Sequence, residues 1–189
     1  MFLLPKSSYT LRHTRQKGRG VFACSDIEPG TIIGDYLGKM IRPSEEDEAT
    51  QGLYAMWYND RATILPDHRS EGIHLINHSC APNCGIYPYQ GHKIYFALRR
   101  IFKGEEITVS YTLKIDKKDC GPCMRHACFC GTPVCKGMLH SSREAIDRWD
   151  AFEKKYSSPR MRVLPAPYGE DLPPLKNYPL RIKDYSLYD

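Results

Sequence analysis

Residues 74–84 read HLINHSCAPNC and residues 119–137 read DCGPCMRHACFCGTPVCKG; together they hold all but one of the chain's eight cysteines. In the first stretch an apolar run meets Asn77, His78, Ser79 and Cys80 directly. Polar groups crowded behind a hydrophobic strand must find partners if they are buried. Three chemistries suit these residue types: metal ligation, a cysteine nucleophile with His78 as its base, and a ligand-binding loop. In the second stretch Cys128-x-Cys130-x4-Cys135 supplies three thiolates on a short loop containing Gly and Pro. Zinc takes four ligands in a tetrahedron, each sulfur at about 2.3 Å, so one more is needed. Cys80, Cys84, Cys120, Cys123 and His126 are the candidates. Cys120 or Cys123 would make a self-contained knuckle, whereas Cys80 would pin the loop to the polar stretch. Spacing does not choose between them.

Around these stretches the chain reads as mostly β. Residues 9–111 are short apolar runs broken by Gly, Pro, Asn and Asp. RGVFACSDIEPGTIIGDYLGKMI predicts two strands about a Glu28-Pro29-Gly30 turn, in which Pro presets one dihedral and Gly allows positive φ. HKIYFALRRIFKGEEITVSY predicts two more, over 93–99 and 106–110, about Lys103-Gly104. The acidic SEEDEATQG reads as a short exposed helix. Residues 141–156 are the one clear long helix, with Ser141 and Glu144 as a capping box and Ile146, Trp149 and Phe152 on one face. Residues 157–189 carry six prolines and form no regular element. Their Leu, Ile and Tyr side chains are expected to pack on the domain, as a structural strap or beside a substrate groove.

Composition sets bounds. At 189 residues the chain can bury a real core. The apolar start of MFLLPKSSYT is too short for a secretory signal and no stretch approaches membrane-spanning length, so the reading is soluble and intracellular with no membrane. Eight cysteines in that setting imply reduced thiols and metal ligation rather than disulfides. A net charge of +5, spread along the chain, gives no nucleic-acid signature. Nothing fixes an oligomeric state.

Four stretches, in order, resemble the SET domain of protein-lysine methyltransferases. KGRGVF (17–22) is similar to its Gly-x-Gly segment and GDYLGKMI (34–41) to its Tyr-x-Gly strand. INHSCAPNC (76–84) is similar to its NHSC motif and GEEITVSY (104–111) to its terminal strand. The Cys128/Cys130/Cys135 run resembles the zinc-binding post-SET loop. The resemblance implies a SET fold of short strands with a pseudoknot over 1–115, a post-SET zinc loop over 116–140, and a C-terminal helix with a proline-rich extension over 141–189. It implies Cys80 as the fourth zinc ligand beside Cys128, Cys130 and Cys135. It implies S-adenosylmethionine as cofactor, contacted by Lys17, Gly18, Arg19, Gly20, Tyr54, Asn77, His78 and Phe129. A cysteine bound to zinc is not free to attack, so the nucleophile–base reading recedes.

Methyl transfer from a sulfonium to an amine needs a neutral lysine, in-line alignment and exclusion of water. The resemblance gives Tyr111 the central role and makes Tyr36 another channel wall. One tyrosine among thirteen is ordinarily a half-buried strand aromatic, and motif position alone sets these apart. Glu105 and Glu106, adjacent on a strand, point to opposite faces and do not converge, and Glu105 reads as solvated. Val109 and Ser110 stand where many members carry an aromatic and an acid, leaving the number of methyl groups open. The expected function is lysine N-methylation of a protein, a histone tail by resemblance, which implies work at chromatin in the nucleus. The rival readings are a non-catalytic SET-fold reader or scaffold and a zinc-binding nucleic-acid module.

Overall fold

A computed structural model describes residues 1–42, 54–89, 92–114 and 126–156. The acidic stretch, the Cys120/Cys123 pair and the proline-rich extension lie outside the described residues, as do the expectations attached to them.

Among the described residues the chain forms ten short strands, two single-turn 3₁₀ helices at Lys6–Ser8 and Ile73–Leu75, and one α-helix. The strands and the α-helix are β1 (Tyr9–Thr14), β2 (Gly18–Ala23), β3 (Ile32–Asp35), β4 (Lys39–Ile41), β5 (Met56–Asn59), β6 (Ala62–Leu65), β7 (Asn77–His78), β8 (Cys84–Tyr89), β9 (His92–Ala97), β10 (Glu106–Val109) and α1 (Arg143–Tyr156). The mostly β reading holds. The larger sheet has seven strands in the order β1-β2-β10-β8-β9-β3, with β7 paired to β10; the smaller runs β4-β6-β5.

The two turn-linked strand pairs do form, but their members do not pair with each other. Gly30 and Gly104 take positive φ of 80° and 90°, yet β2 pairs with β1 and β10, and β3 with β9. The turns reverse the chain between separate positions in the sheet, since each strand is apolar enough to be buried between non-neighbouring partners.

Strand β10 is the keystone. It runs antiparallel to β2 through Glu106↔Phe22 and Ile107↔Val21, and parallel to β7 through Thr108↔Asn77 and Val109↔His78. It also meets β8 at Val109↔Cys84. Val21, Ile33, Ile64, Ile101 and the strand's own Ile107 are fully buried in one apolar core. Cys84 belongs to this core, where burial pushes its thiol up. It is therefore a packing residue and no ligand candidate.

The helix begins later than its sequence suggests. Ser141 donates its backbone N–H to Leu113, and His140 bridges to Leu113 as an isolated pair. The chain stays extended there, and the N-cap falls to Ser142, whose Oγ accepts the Ala145 N–H at 3.2 Å. Ile146 is buried as expected, and Lys114 pairs with Asp150 at 2.9 Å to fasten the helix to the chain after β10.

Asn83 locks the keystone. It is 3% exposed; its Oδ1 accepts the Thr108 N–H at 2.8 Å and its Nδ2 donates to the Glu106 carbonyl at 2.8 Å. The side chain thus stands in for a stretch of neighbouring strand. Asn83→Ala leaves buried backbone groups unpaired and is expected to lower unfolding stability by about 2–4 kcal/mol in a urea titration. A loss below about 0.5 kcal/mol, the scale of an ordinary surface change, would show that β10 does not depend on this clamp.

Candidate active site and cysteine cluster

Successive residues of the polar stretch make contacts in different directions, as extended backbone dictates. The Ile76 carbonyl accepts from the Tyr111 hydroxyl at 3.2 Å. Asn77 Nδ2 donates to the Arg19 carbonyl at 3.1 Å and to Glu106 Oε1 at 2.8 Å. His78 Nδ1 accepts the Tyr111 backbone N–H at 3.1 Å, and its Nε2 lies 3.5 Å from Cys80 Sγ. With Nδ1 accepting, the neutral ring carries its proton on Nε2, toward the sulfur. Burial, aided by the charges of Lys136 and Lys17, holds this imidazole down at about 4.

Three of the expected aromatics converge. Tyr36, 4% exposed, donates its hydroxyl to the Tyr54 carbonyl, and the Tyr111 ring meets the His78 ring edge-on at 5.4 Å. Burial is the main reason that the Tyr36 and Tyr111 phenols are raised beyond the normal tyrosine range, and Tyr54 sits close enough to each to add to it. Immediately after Tyr111 the backbone turns through Thr112 at φ 50°, an unusual conformation for a β-branched residue.

Beside Asn77 lie Gly20 and Glu106, and Glu106 carries Lys17. Gly18 takes φ 71°, and so suits the turn between β1 and β2. Gly20 serves closeness instead: a Cβ there would come within 2.7 Å of Glu106 Oε1 and 2.8 Å of Asn77 Nδ2. Lys17 forms an ion pair with Glu106, while the Arg19 side chain is exposed. Phe129 is 44% exposed between two cysteines.

Cys80, Cys128, Cys130 and Cys135 place their sulfurs within 4.8 Å of one another, with Cys80 and Cys128 3.8 Å apart. A tetrahedron of sulfurs about 2.3 Å from a zinc has edges of about 3.8 Å, so the donor set fits that ion. Backbone N–H groups of Lys136 and Gly137 point at Cys80 and Cys135 Sγ, each at 3.4 Å, as suits thiolates. His126 joins no such group; its Nδ1 lies 2.7 Å from His140 Nε2. The fold therefore brings together the long-range cysteine set, not a local one built on His126.

Against this geometry, a family model for the SET domain matches residues 18–112. The chain belongs to the SET-domain family. Over 134 residues it is 33% identical to histone-lysine N-methyltransferase trithorax of Drosophila virilis, a match covering 65% of this chain and 3% of that protein. It is 33% identical to histone H3-lysine(4) N-trimethyltransferase ATX1 of Arabidopsis thaliana, covering 66% and 12%. It is 32% identical to the H3 lysine-36 specific histone-lysine N-methyltransferase of Mycosarcoma maydis, covering 67% and 14%. This SET chain thus spans a small part of these relatives' length. Its fold is similar to a crystal structure of KRYPTONITE in complex with mCHG DNA and SAH, at TM-score 0.57 and 22% identity over 71% of this chain and 29% of that one.

Three participants escaped the sequence reading. Glu106 and Asn83 belong to recognised motifs, but their partners are visible only once β10 and β7 pair. Glu105 lies at the surface as expected, where it caps its turn through the Phe102 N–H at 2.7 Å and pairs with Arg99. The third is His74, buried against Tyr54 with ring centroids 5.8 Å apart and Nε2 without a partner among the described residues.

Burial pushes His74 down to about 4, the positive Met1 amino group, His68 and Arg19 acting the same way and Asp67 against. The unfolded chain therefore takes up a proton near 6.5 that the folded chain refuses. The stability that the neutral ring provides is complete above that pH and is lost as pH falls toward 4. In urea titrations, His74→Gln should lose stability less steeply than the native chain across this window. Identical slopes would mean the buried ring does not titrate as stated.

Proposed function

We propose that this SET-domain chain is an S-adenosylmethionine-dependent protein-lysine N-methyltransferase acting on a histone lysine at chromatin. The observation that carries the reading is that Tyr111 is fixed to the Asn77-His78 stretch, its backbone N–H on His78 Nδ1 and its hydroxyl on the Ile76 carbonyl, with Tyr36 close by, while Asn77 shares Glu106 with Lys17. That arrangement sets an aromatic wall for a lysine beside a polar site for the cofactor. The named relatives support the class, and their names divide between lysine 4 and lysine 36 of H3, so the proposal stops at a histone lysine.

When bound, the cofactor supplies an electrophilic methyl group on a sulfonium. The protein's task is positioning and desolvation. A lysine amine, with an ordinary pKa near 10.4, must be neutral to attack, and an aromatic low-dielectric wall disfavours its charged form. Tyr111 is no base: its raised phenol pKa keeps it protonated, so it does not remove the lysine proton. It donates to the Ile76 carbonyl, which leaves its oxygen lone pairs to accept from the amine and orient it. Tyr36, tied to the Tyr54 backbone, holds the adjacent wall. Asn77, Lys17 and Arg19 would bind the polar end of the cofactor, and Tyr54, His78 and Phe129 would border it. Cys80, Cys128, Cys130 and Cys135 would hold one structural zinc, fastening the 128–135 loop beside His78.

Incubation with labelled S-adenosylmethionine and core histones tests the reading, with transfer to a histone band expected. Cofactor binding without transfer to any protein would favour a non-catalytic scaffold. Tyr111→Phe should preserve cofactor affinity and reduce transfer by one to several powers of ten, each factor of ten being about 1.4 kcal/mol of barrier. A native rate would remove its hydroxyl from the mechanism.

Elemental analysis should find one zinc per chain, lost in Cys80→Ser together with S-adenosylmethionine affinity. Full metal content in that variant would break the ligand assignment.

A further inference from the structure

Glu106 stands between the two groups proposed to bind the polar end of the cofactor. Its Oε1 accepts from Asn77 Nδ2 at 2.8 Å, and its Oε2 meets the Lys17 ammonium. Both charged side chains are only 18% exposed, so water screens the pair incompletely.

The chemistry of the carboxylate decides how Asn77 is presented. An ionised carboxylate only accepts hydrogen bonds, and so does the Arg19 carbonyl on the amide's other side. Both hydrogens of Asn77 Nδ2 are thus committed to protein acceptors. The amide orientation follows from its partners, with no ambiguity between nitrogen and oxygen. What remains for a ligand is Oδ1, an acceptor. The closeness requires Gly20, because any side chain there would collide with both Glu106 Oε1 and Asn77 Nδ2. A purely structural staple between β2 and β10 would add little, since these strands already pair through Glu106↔Phe22 and Ile107↔Val21.

We propose that Glu106 is a positioning residue of the cofactor site: it sets the polarity of the Asn77 amide and holds Lys17 beside it. This inference rests on the methyltransferase reading. Glu106 acts through its two neighbours and touches no reacting atom.

Glu106→Gln tests it with almost no change of shape. Glutamine can donate as well as accept, so it neither enforces the Asn77 orientation nor anchors the lysine. Calorimetric titration with S-adenosylhomocysteine would compare the native chain, Glu106→Gln, Lys17→Met and the double variant. Expected are binding by the native chain, a loss of about tenfold or more in Glu106→Gln at unchanged melting temperature, and a double variant weakened by less than the product of the singles, as for residues sharing one interaction. Equal affinity of Glu106→Gln and native protein would overturn the proposal, as would independent effects in the double variant or a binding loss that tracks a fall in melting temperature. A native chain that binds no S-adenosylhomocysteine would overturn the methyltransferase reading first. Should Glu106→Gln not fold, the native protein still decides. In a 15N-asparagine-labelled sample both Asn77 side-chain amide protons should be protected from solvent exchange, and free exchange of either would overturn the assignment.

Discussion

The parallel pairing of β7 with β10 is the constraint on which the rest of the structure depends. It is two residues long, Thr108 against Asn77 and Val109 against His78. A contact so short cannot stand alone, because the closure entropy of the thirty-odd residues between must be recovered elsewhere. Asn83 supplies part of that support by replacing missing strand hydrogen bonds on β10. The Ser79 N–H adds a bond to the Val109 carbonyl, and β2 and β8 clasp β10 from both sides. Once the pairing exists, Tyr111 emerges beside Ile76 and His78 without further adjustment.

Burial then sorts the polar groups into two environments. Around Tyr111, phenols and an imidazole are held neutral chiefly by desolvation. Around Lys17, its ion pair with Glu106 stays partly wetted. The two-residue strand β7 contacts both groups. The four-cysteine cluster sits at its C-terminal end, where His78 Nε2 reaches Cys80, so cysteine cluster, imidazole and tyrosine backbone form one connected chain. Among the described residues no helix is long and apolar enough to cross a membrane.

Where the sequence reading and the fold part company, the cause is competition between local and distant partners. The Glu28-Pro29-Gly30 and Lys103-Gly104 turns were legible because Pro and Gly act within a few residues. Which strands they place side by side was not, because every apolar strand is an equally good neighbour by composition. The helix N-cap slipped from Ser141 to Ser142 for the same kind of reason: Leu113, far back in the chain, holds Ser141 extended.

The sequence by itself determined the β class, the site's residue types and a cysteine set with the spacing of metal ligands. These follow from local chemistry: thiolates at loop spacing, glycines at turns, a polar cluster behind an apolar run. The choice of the fourth cysteine was reachable from the sequence only through family resemblance, and geometry alone makes it directly, with four sulfurs inside 4.8 Å. The tertiary structure decided that Glu106 faces Lys17 and Asn77 while its neighbour Glu105 turns to Arg99. It also decided that His74 loses its proton to burial and that Cys84 packs in the core. Hydrogen-bond partners and desolvation depend on what the folded chain brings within a few ångströms, and residues scores of positions apart in sequence carry no local mark of that meeting.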